Sequence, residues 1–205
     1  MIKTKSLLLW VLFCLVCSKI NADERIMIFG DSLSSAYGID RHDGWVELLR
    51  KKLKEKKIKA KVINKSISGE TTAGGVRRIE KALESVNPTV VILELGANDG
   101  LRGLSIKNMM FNLKKMVEKI KEKGGKCLLV GIRIPPNYGP VYAENFSNTF
   151  SLIASETNSN YIPTLLVGFE TNPSFFLPDQ IHPNEDAQKI ILATVWDALS
   201  VMLTN

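Results

Sequence analysis

Residues 26–38 read IMIFGDSLSSAYG. Four apolar residues run directly into Gly30-Asp31-Ser32, so a buried strand stops on a serine. Gly, Asp and Ser all suit tight turns, and taken alone the tripeptide reads as a turn. It reads as a nucleophile only if the rest of the chain supplies a base for the hydroxyl and donors for an oxyanion. That depends on what the fold gathers around it.

Similar apolar runs recur along the chain. Strand candidates are residues 25–29, 61–64, 90–95, 127–132 and 161–165. VVILEL and CLLVGI are nearly continuous hydrophobic runs, the pattern of strands covered on both faces. Helical patterns lie between them. Residues 44–57 set Trp45, Leu48, Leu49 and Leu53 on one side, and residues 106–123 start after Ser105 and stop at Gly124-Gly125, a C-cap signal. Residues 142–157 and 184–202 are read as two more helices. This alternation predicts a parallel sheet with helices on both faces: one three-layer α/β domain, without linker or repeat. The run RKKLKEKKIKAK, residues 50–61, reads as the solvated face of an amphipathic helix, which its leucine spacing and Glu55 fit better than a nucleic-acid patch.

The first twenty-two residues are set apart. Lys3 and Lys5 precede an apolar run over residues 7–17, and Lys19 closes it. Eleven residues is about half the ~20 needed to span a bilayer. The segment therefore reads as a secretory signal, cleaved after Ala22, with Ser18 as the alternative point. The expected mature domain is 23–205, periplasmic or secreted, without stable membrane insertion and monomeric. Loss of three lysines lowers the formal charge from +6 to +3, 24 basic against 21 acidic groups. That leaves little support for a nucleic-acid partner. Two of the three cysteines leave with the signal, and Cys127, inside an apolar run, is expected to be a buried, inert thiol.

Three strand ends carry short polar motifs. The first gives Gly30-Asp31-Ser32-Leu33, the second Ser68-Gly69-Glu70-Thr71, the third Gly96-Ala97-Asn98-Asp99. Open parallel sheets bind ligands beyond the carboxyl ends of their strands, where strand order reverses. With the first strand between the other two, Ser32, Gly69 and Asn98 converge there. The mature chain holds only two histidines, His42 and His182. His42 sits in a polar loop. His182 lies in Pro178-Asp179-Gln180-Ile181-His182-Pro183, ahead of the last helix, where Asp179 is placed to accept from one ring nitrogen while the other faces Ser32. Each residue alone has a plain reading, a turn acid and a residue leading into a helix; their joint occurrence with the strand-end motifs points to acyl transfer. The candidate oxyanion donors are the backbone amides of Ser32 and Gly69 and the side-chain amide of Asn98. Asp31 and Asp99 are read as turn caps that hold these loops. No metal-ligand spacing is present, and neither metal nor cofactor is expected.

GDSLS, the glycine of SISGET, GANDG and DQIHP follow the order of the four blocks of the SGNH (GDSL) hydrolase superfamily, which this chain resembles. SISGET, ELGANDGLRG, IRIPPNYG and IHPNEDAQ are similar to its bacterial periplasmic subgroup of multifunctional thioesterase/protease/lysophospholipases. The likeness covers essentially the whole mature chain. It implies a flavodoxin-like fold with a five-stranded parallel sheet, Ser32 as nucleophile, Asp179 and His182 as its partners, and Gly69 and Asn98 as oxyanion donors. One position departs: Gln180 stands where the family often has Gly.

The expected activity is hydrolysis of fatty-acyl esters, thioesters and lysophospholipids through an acyl-enzyme on Ser32. The alternatives are a carbohydrate acetyl esterase of the same superfamily and a catalytically silent lipid-binding module. For the acyl chain, Leu101 and Leu104 are apolar residues in a segment with glycines at 100 and 103. They either tuck into the domain or form a mobile flap over substrate. Ile134 and Tyr138, beyond the fourth strand, are expected to supply a second wall.

Overall fold

The computed structural model describes residues 24–134 and 136–204, so the expected signal segment lies outside the described residues. The elements follow one another as β1 (Glu24–Gly30), α1 (Ser32–Ser35), α2 (Trp45–Glu55), β2 (Ala60–Asn64), α3 (Thr72–Val86), β3 (Val90–Glu94), α4 (Ala97–Leu101), α5 (Ile106–Glu122), β4 (Lys126–Val130), α6 (Pro140–Thr157), β5 (Asn160–Ile162) and α7 (Glu185–Thr204). All pairings within the sheet are parallel, and the strand order is β2-β1-β3-β4-β5. The sheet is the five-stranded parallel one expected. Strand order reverses at β1, whose carboxyl end carries Gly30-Asp31-Ser32.

Alternation along the strands sorts the core into two layers. Met27 and Phe29 of β1, Val91 and Leu93 of β3, and Leu129 of β4 pack beneath α3, α5 and α6. Ile26, Ile28, Val90, Ile92, Leu128 and Val130 face the other way, against Trp45, Leu49 and Leu53 of α2 and Ile191, Val195 and Leu199 of α7. Cys127 is buried in the first layer, where burial pushes its thiol up to about 12. In α2 the lysines point outward and Leu53 inward, the amphipathic arrangement read from the sequence.

Element ends differ from expectation by up to three residues, and α1, α3 and α4 are helices that were not expected. The strand expected over 161–165 ends at Ile162 because Pro163 brings no N–H to the ladder. The strand expected over 127–132 ends at Val130, although the Gly131 amide still reaches the Ile162 carbonyl at 2.7 Å. The helix α3 was not expected, since Gly74-Gly75 weakens its helical pattern. Its second glycine answers to packing: a Cβ on Gly75 would stand 2.6 Å from Leu95 Cδ1 and 2.9 Å from Met116 Sδ. The helix is capped by the Thr71 hydroxyl, which accepts from the Gly74 amide.

Candidate active site

The turn after β1 admits only glycine at its first position. A Cβ on Gly30 would lie 2.5 Å from Glu94 Oε2 and 2.9 Å from the Glu94 carbonyl. Asp31 is fully buried and caps α1, accepting from the Leu33 amide at 3.1 Å on Oδ1. Ala36, in the left-handed region at φ +63°, ends the helix after one turn. The result holds Ser32 half-exposed at the head of α1, on a backbone pinned from both sides. Trp45 supports it from below, donating from Nε1 to the Leu33 carbonyl at 3.1 Å.

The histidine comes from the loop before α7. Its Nδ1 lies 2.7 Å from Asp179 Oδ2, while Asp179 Oδ1 accepts from the amides of Ile181 at 2.9 Å and His182 at 3.0 Å. Burial pushes the Asp179 carboxyl up, but these hydrogen bonds and the imidazole charge outweigh it and pull it down to about 2. An ionised Asp179 accepts a hydrogen bond from Nδ1–H, which fixes the tautomer and leaves Nε2 as an acceptor. The Tyr37 ring lies against the imidazole, centroids 4.4 Å apart. Gln180 takes φ +56° to close this loop, the left-handed region that favours glycine. That is the physical sense of the one departure noted in the motif.

Asn98 sits in α4, just past β3. Its Nδ2 donates to Asp31 Oδ2 at 3.0 Å, and the second N–H remains for a ligand. Asp99 points away into the domain, taking the Thr72 amide at 2.8 Å and the Thr72 hydroxyl at 2.6 Å, and so ties α4 to the start of α3. Asp31 and Asp99 thus hold loops, as expected. Gly69 has φ +77°, and its loop is tied to β1 by Lys65 and Ile67 amides on the Ile28 and Gly30 carbonyls. The Ser35 and Ser68 hydroxyls, 2.7 Å apart, join that loop to α1.

Ser32, Asn98 and His182 line one cavity of about 540 Å³, within the usual range for small-molecule sites. Much of its wall is apolar: Leu33, Leu101, Ile132, Ile134, Leu166, Phe176 and Ile181. Arg133 and Glu170, paired at 2.9 Å, add opposite charges to the lining. Gly69 is not among the lining residues.

Of the two readings left open for Leu101 and Leu104, the packing supports the tucked one at Leu101. Residues 97–101 form a helix, not a loop, and Gly100 is buried against Phe146 and Ile134: a Cβ there would stand 2.7 Å from Phe146 Cε2 and 2.9 Å from Ile134 Cγ2. Its glycine serves close approach rather than freedom. Leu101 and Ile134 do line the cavity, whereas Leu104 and Tyr138 do not. Leu104 is exposed, its amide bonded to the Asp99 carbonyl and its carbonyl to the Tyr142 hydroxyl. The Tyr138 hydroxyl instead reaches the Leu101 carbonyl at 3.4 Å, bracing the wall from outside. Sequence reasoning passed over Leu166, Phe176 and above all Glu94, a lone carboxylate inside the VVILEL run that proves fully buried beneath Asp31. A charge in an otherwise apolar strand was the available signal.

Comparison with known proteins returns a match, over residues 28–190, to the GDSL-like lipase/acylhydrolase family. The chain is 40% identical over 182 residues to esterase TesA of Pseudomonas aeruginosa, covering 89% of this chain and 90% of that protein. It is 36% identical over 170 residues to thioesterase 1/protease 1/lysophospholipase L1 of Escherichia coli strain K12, covering 83% of this chain and 80% of that one. Among solved structures, the psychrotrophic esterase EstA from Pseudoalteromonas sp., inhibited by monoethylphosphonate, superimposes with a TM-score of 0.85 at 40% identity, covering 89% of this chain and 100% of that one.

Proposed function

The chain belongs to the GDSL-like lipase/acylhydrolase family, and on that premise we propose that it is a serine esterase and thioesterase acting on fatty-acyl esters, aryl esters and lysophospholipids. The observation that carries this reading is the Asp179–His182 couple opening onto the same largely apolar cavity as Ser32.

In the proposed reaction His182 Nε2 takes the Ser32 proton as Oγ adds to the acyl carbon. The negative charge that develops on the carbonyl oxygen is received by the Ser32 and Gly69 amides and by the free N–H of Asn98. His182, now an imidazolium held by Asp179, gives its proton to the departing alcohol or thiol. Water then attacks the acyl-enzyme on the same base, and Ser32 is released with the free acid. The cycle uses no cofactor. The apolar wall formed by Leu101, Ile134, Leu166 and Phe176 favours a fatty chain over an acetylated sugar, whose hydroxyls would meet few partners there. We further propose that residues 1–22 direct export and that 23–205 is the working hydrolase domain. No helix among the described residues is long and apolar enough to cross a membrane.

The test is a substrate series of p-nitrophenyl esters from acetyl to palmitoyl, one lysophospholipid and acetylated xylan. The proposal expects kcat/KM to rise from acetyl toward medium or long chains and the lysophospholipid to be cleaved. Preference for acetylated xylan over every fatty ester would replace it with the carbohydrate reading. No turnover, together with failure of a fluorophosphonate to label Ser32, would leave the silent lipid-binding module.

A further inference from the structure

Beneath Ser32 lie two carboxyl groups, Asp31 and Glu94, both fully buried. Glu94 Oε2 accepts from the Asp31 amide at 3.2 Å and from the Ser34 hydroxyl at 2.7 Å. Glu94 Oε1 is buried without a hydrogen-bond donor. Asp31 spends Oδ1 on the Leu33 amide and Oδ2 on the Asn98 amide. Two buried carboxylates side by side would leave like charges in a site of low polarity, with Oε1 facing no positive partner. A single proton resolves both problems. Placed on Glu94 Oε1 it turns the orphaned acceptor into a donor, and the neighbouring Asp31 carboxylate is the acceptor we assign to it.

We propose that Glu94 is a positioning residue: it carries that proton at working pH and holds Asp31 as the anion that aims the Asn98 amide at the oxyanion. Asn98 could otherwise rotate about its last torsion and present its carbonyl to the substrate, which would repel the developing charge. An ionised Asp31 accepts and cannot donate, so it selects the amide orientation. The chain of command runs Glu94, Asp31, Asn98, substrate oxygen. Burial raises both carboxyls, and the Asp31 charge raises Glu94 further, which leaves the proton on Glu94. Among the described residues, the titratable groups facing the pair are each other and, from the loop before α7, His182, whose positive form favours an ionised Asp31. Ser34 and Asn98 contribute neutral hydrogen bonds. This inference rests on the proposed acyl transfer at Ser32 and adds to it the group that sets the oxyanion donor.

The experiment combines infrared spectroscopy with steady-state kinetics on the full folded domain. At pH 7.5 the wild type should show the carbonyl stretch of one protonated, buried carboxylic acid, and E94Q should lack it. Gln reproduces a protonated Glu, its carbonyl taking the Asp31 amide and Ser34 hydroxyl while its N–H meets the Asp31 carboxylate. E94Q should therefore rescue kcat to within about threefold of wild type, whereas E94A should lower kcat about 30-fold or more with KM little changed, approaching the loss of an oxyanion donor. If E94A fails to fold, the infrared band and the E94Q kinetics decide. Absence of the band, or E94Q losing activity as E94A does, overturns the inference. Either result leaves the function itself intact if S32A is inactive. An active S32A beside an intact band would instead overturn the catalytic reading and leave the proton where we place it.

Discussion

Gly100→Ala separates a packed wall from a free flap. Gly100 lies inside α4 with an ordinary negative φ, so the backbone accepts alanine without strain. In a mobile segment the change would stabilise the protein by about 0.4–1 kcal/mol, because it restricts the unfolded chain. The structure opposes this with contacts of 2.7 and 2.9 Å from the new Cβ to Phe146 and 2.9 Å to Ile134. Phe146 cannot swing away: it is fully buried and packed edge-on against Phe150, centroids 5.5 Å apart. Overpacking a filled core costs about 1–3 kcal/mol. The net expectation is destabilisation by about 1 kcal/mol, which at a urea slope of roughly 2 kcal/mol/M lowers the midpoint by about 0.5 M. Because Asn98 sits two residues earlier in the same short helix, kcat should fall several-fold, with KM for a short ester little changed. Urea titration and p-nitrophenyl acetate kinetics measure both. A variant more stable than wild type with unchanged kcat would refute the packing argument and restore the flap.

Three further outcomes follow from the site. Leu101→Ala should shift preference toward shorter acyl chains at about fourfold per methylene no longer covered, since each buried methylene is worth ~0.8 kcal/mol, while Leu104→Ala should leave the chain-length series unchanged; equal effects would contradict the cavity wall. Asp179→Asn should lower kcat by up to ~10⁴, because the imidazole loses the acceptor that sets its tautomer. The Asp179 carboxyl lies below its unfolded value, near ~3.9, so its contribution to stability is complete above that value and is lost as pH falls through about 2. The stability gap between wild type and Asp179→Asn should therefore close in strong acid, measured by thermal denaturation at stepped pH. Gln180→Gly should be tolerated, whereas Gln180→Val should displace the histidine loop and depress kcat, because a β-branched residue resists φ +56°.

Much of this architecture is legible in the chain. VVILEL and CLLVGI announce buried parallel strands, and the strand-end motifs that carry Ser32 and Asn98 meet at one cavity because β1 pairs with β3, whereas Gly69 of the remaining motif is not among its lining residues. What stayed hidden turns on glycine and on buried charge. A glycine in sequence signals either freedom or close approach. At Gly100 and Gly75 the reason is close approach, set by Phe146 and Met116, which are distant in the chain. For that reason α3 went unread and residues 99–104 looked mobile. Leu104 and Tyr138 were placed at the cavity by neighbourhood in sequence, yet α4 ends at Leu101, which lines the cavity, and the chain turns at Gly103, φ +61°, leaving Leu104 at the surface. Glu94 shows the converse: its meaning comes only from Asp31, which the parallel pairing of β1 with β3 brings alongside.

The central claim is that Ser32 is acylated. It is tested most directly by mass spectrometry of the protein treated with an alkyl fluorophosphonate, in parallel with turnover of a medium-chain p-nitrophenyl ester. The account predicts one adduct per chain, located on the peptide carrying Ser32, loss of activity in proportion to labelling, and neither adduct nor appreciable turnover in Ser32→Ala. An adduct on another residue, or a Ser32→Ala protein that keeps a tenth of wild-type activity, would contradict it.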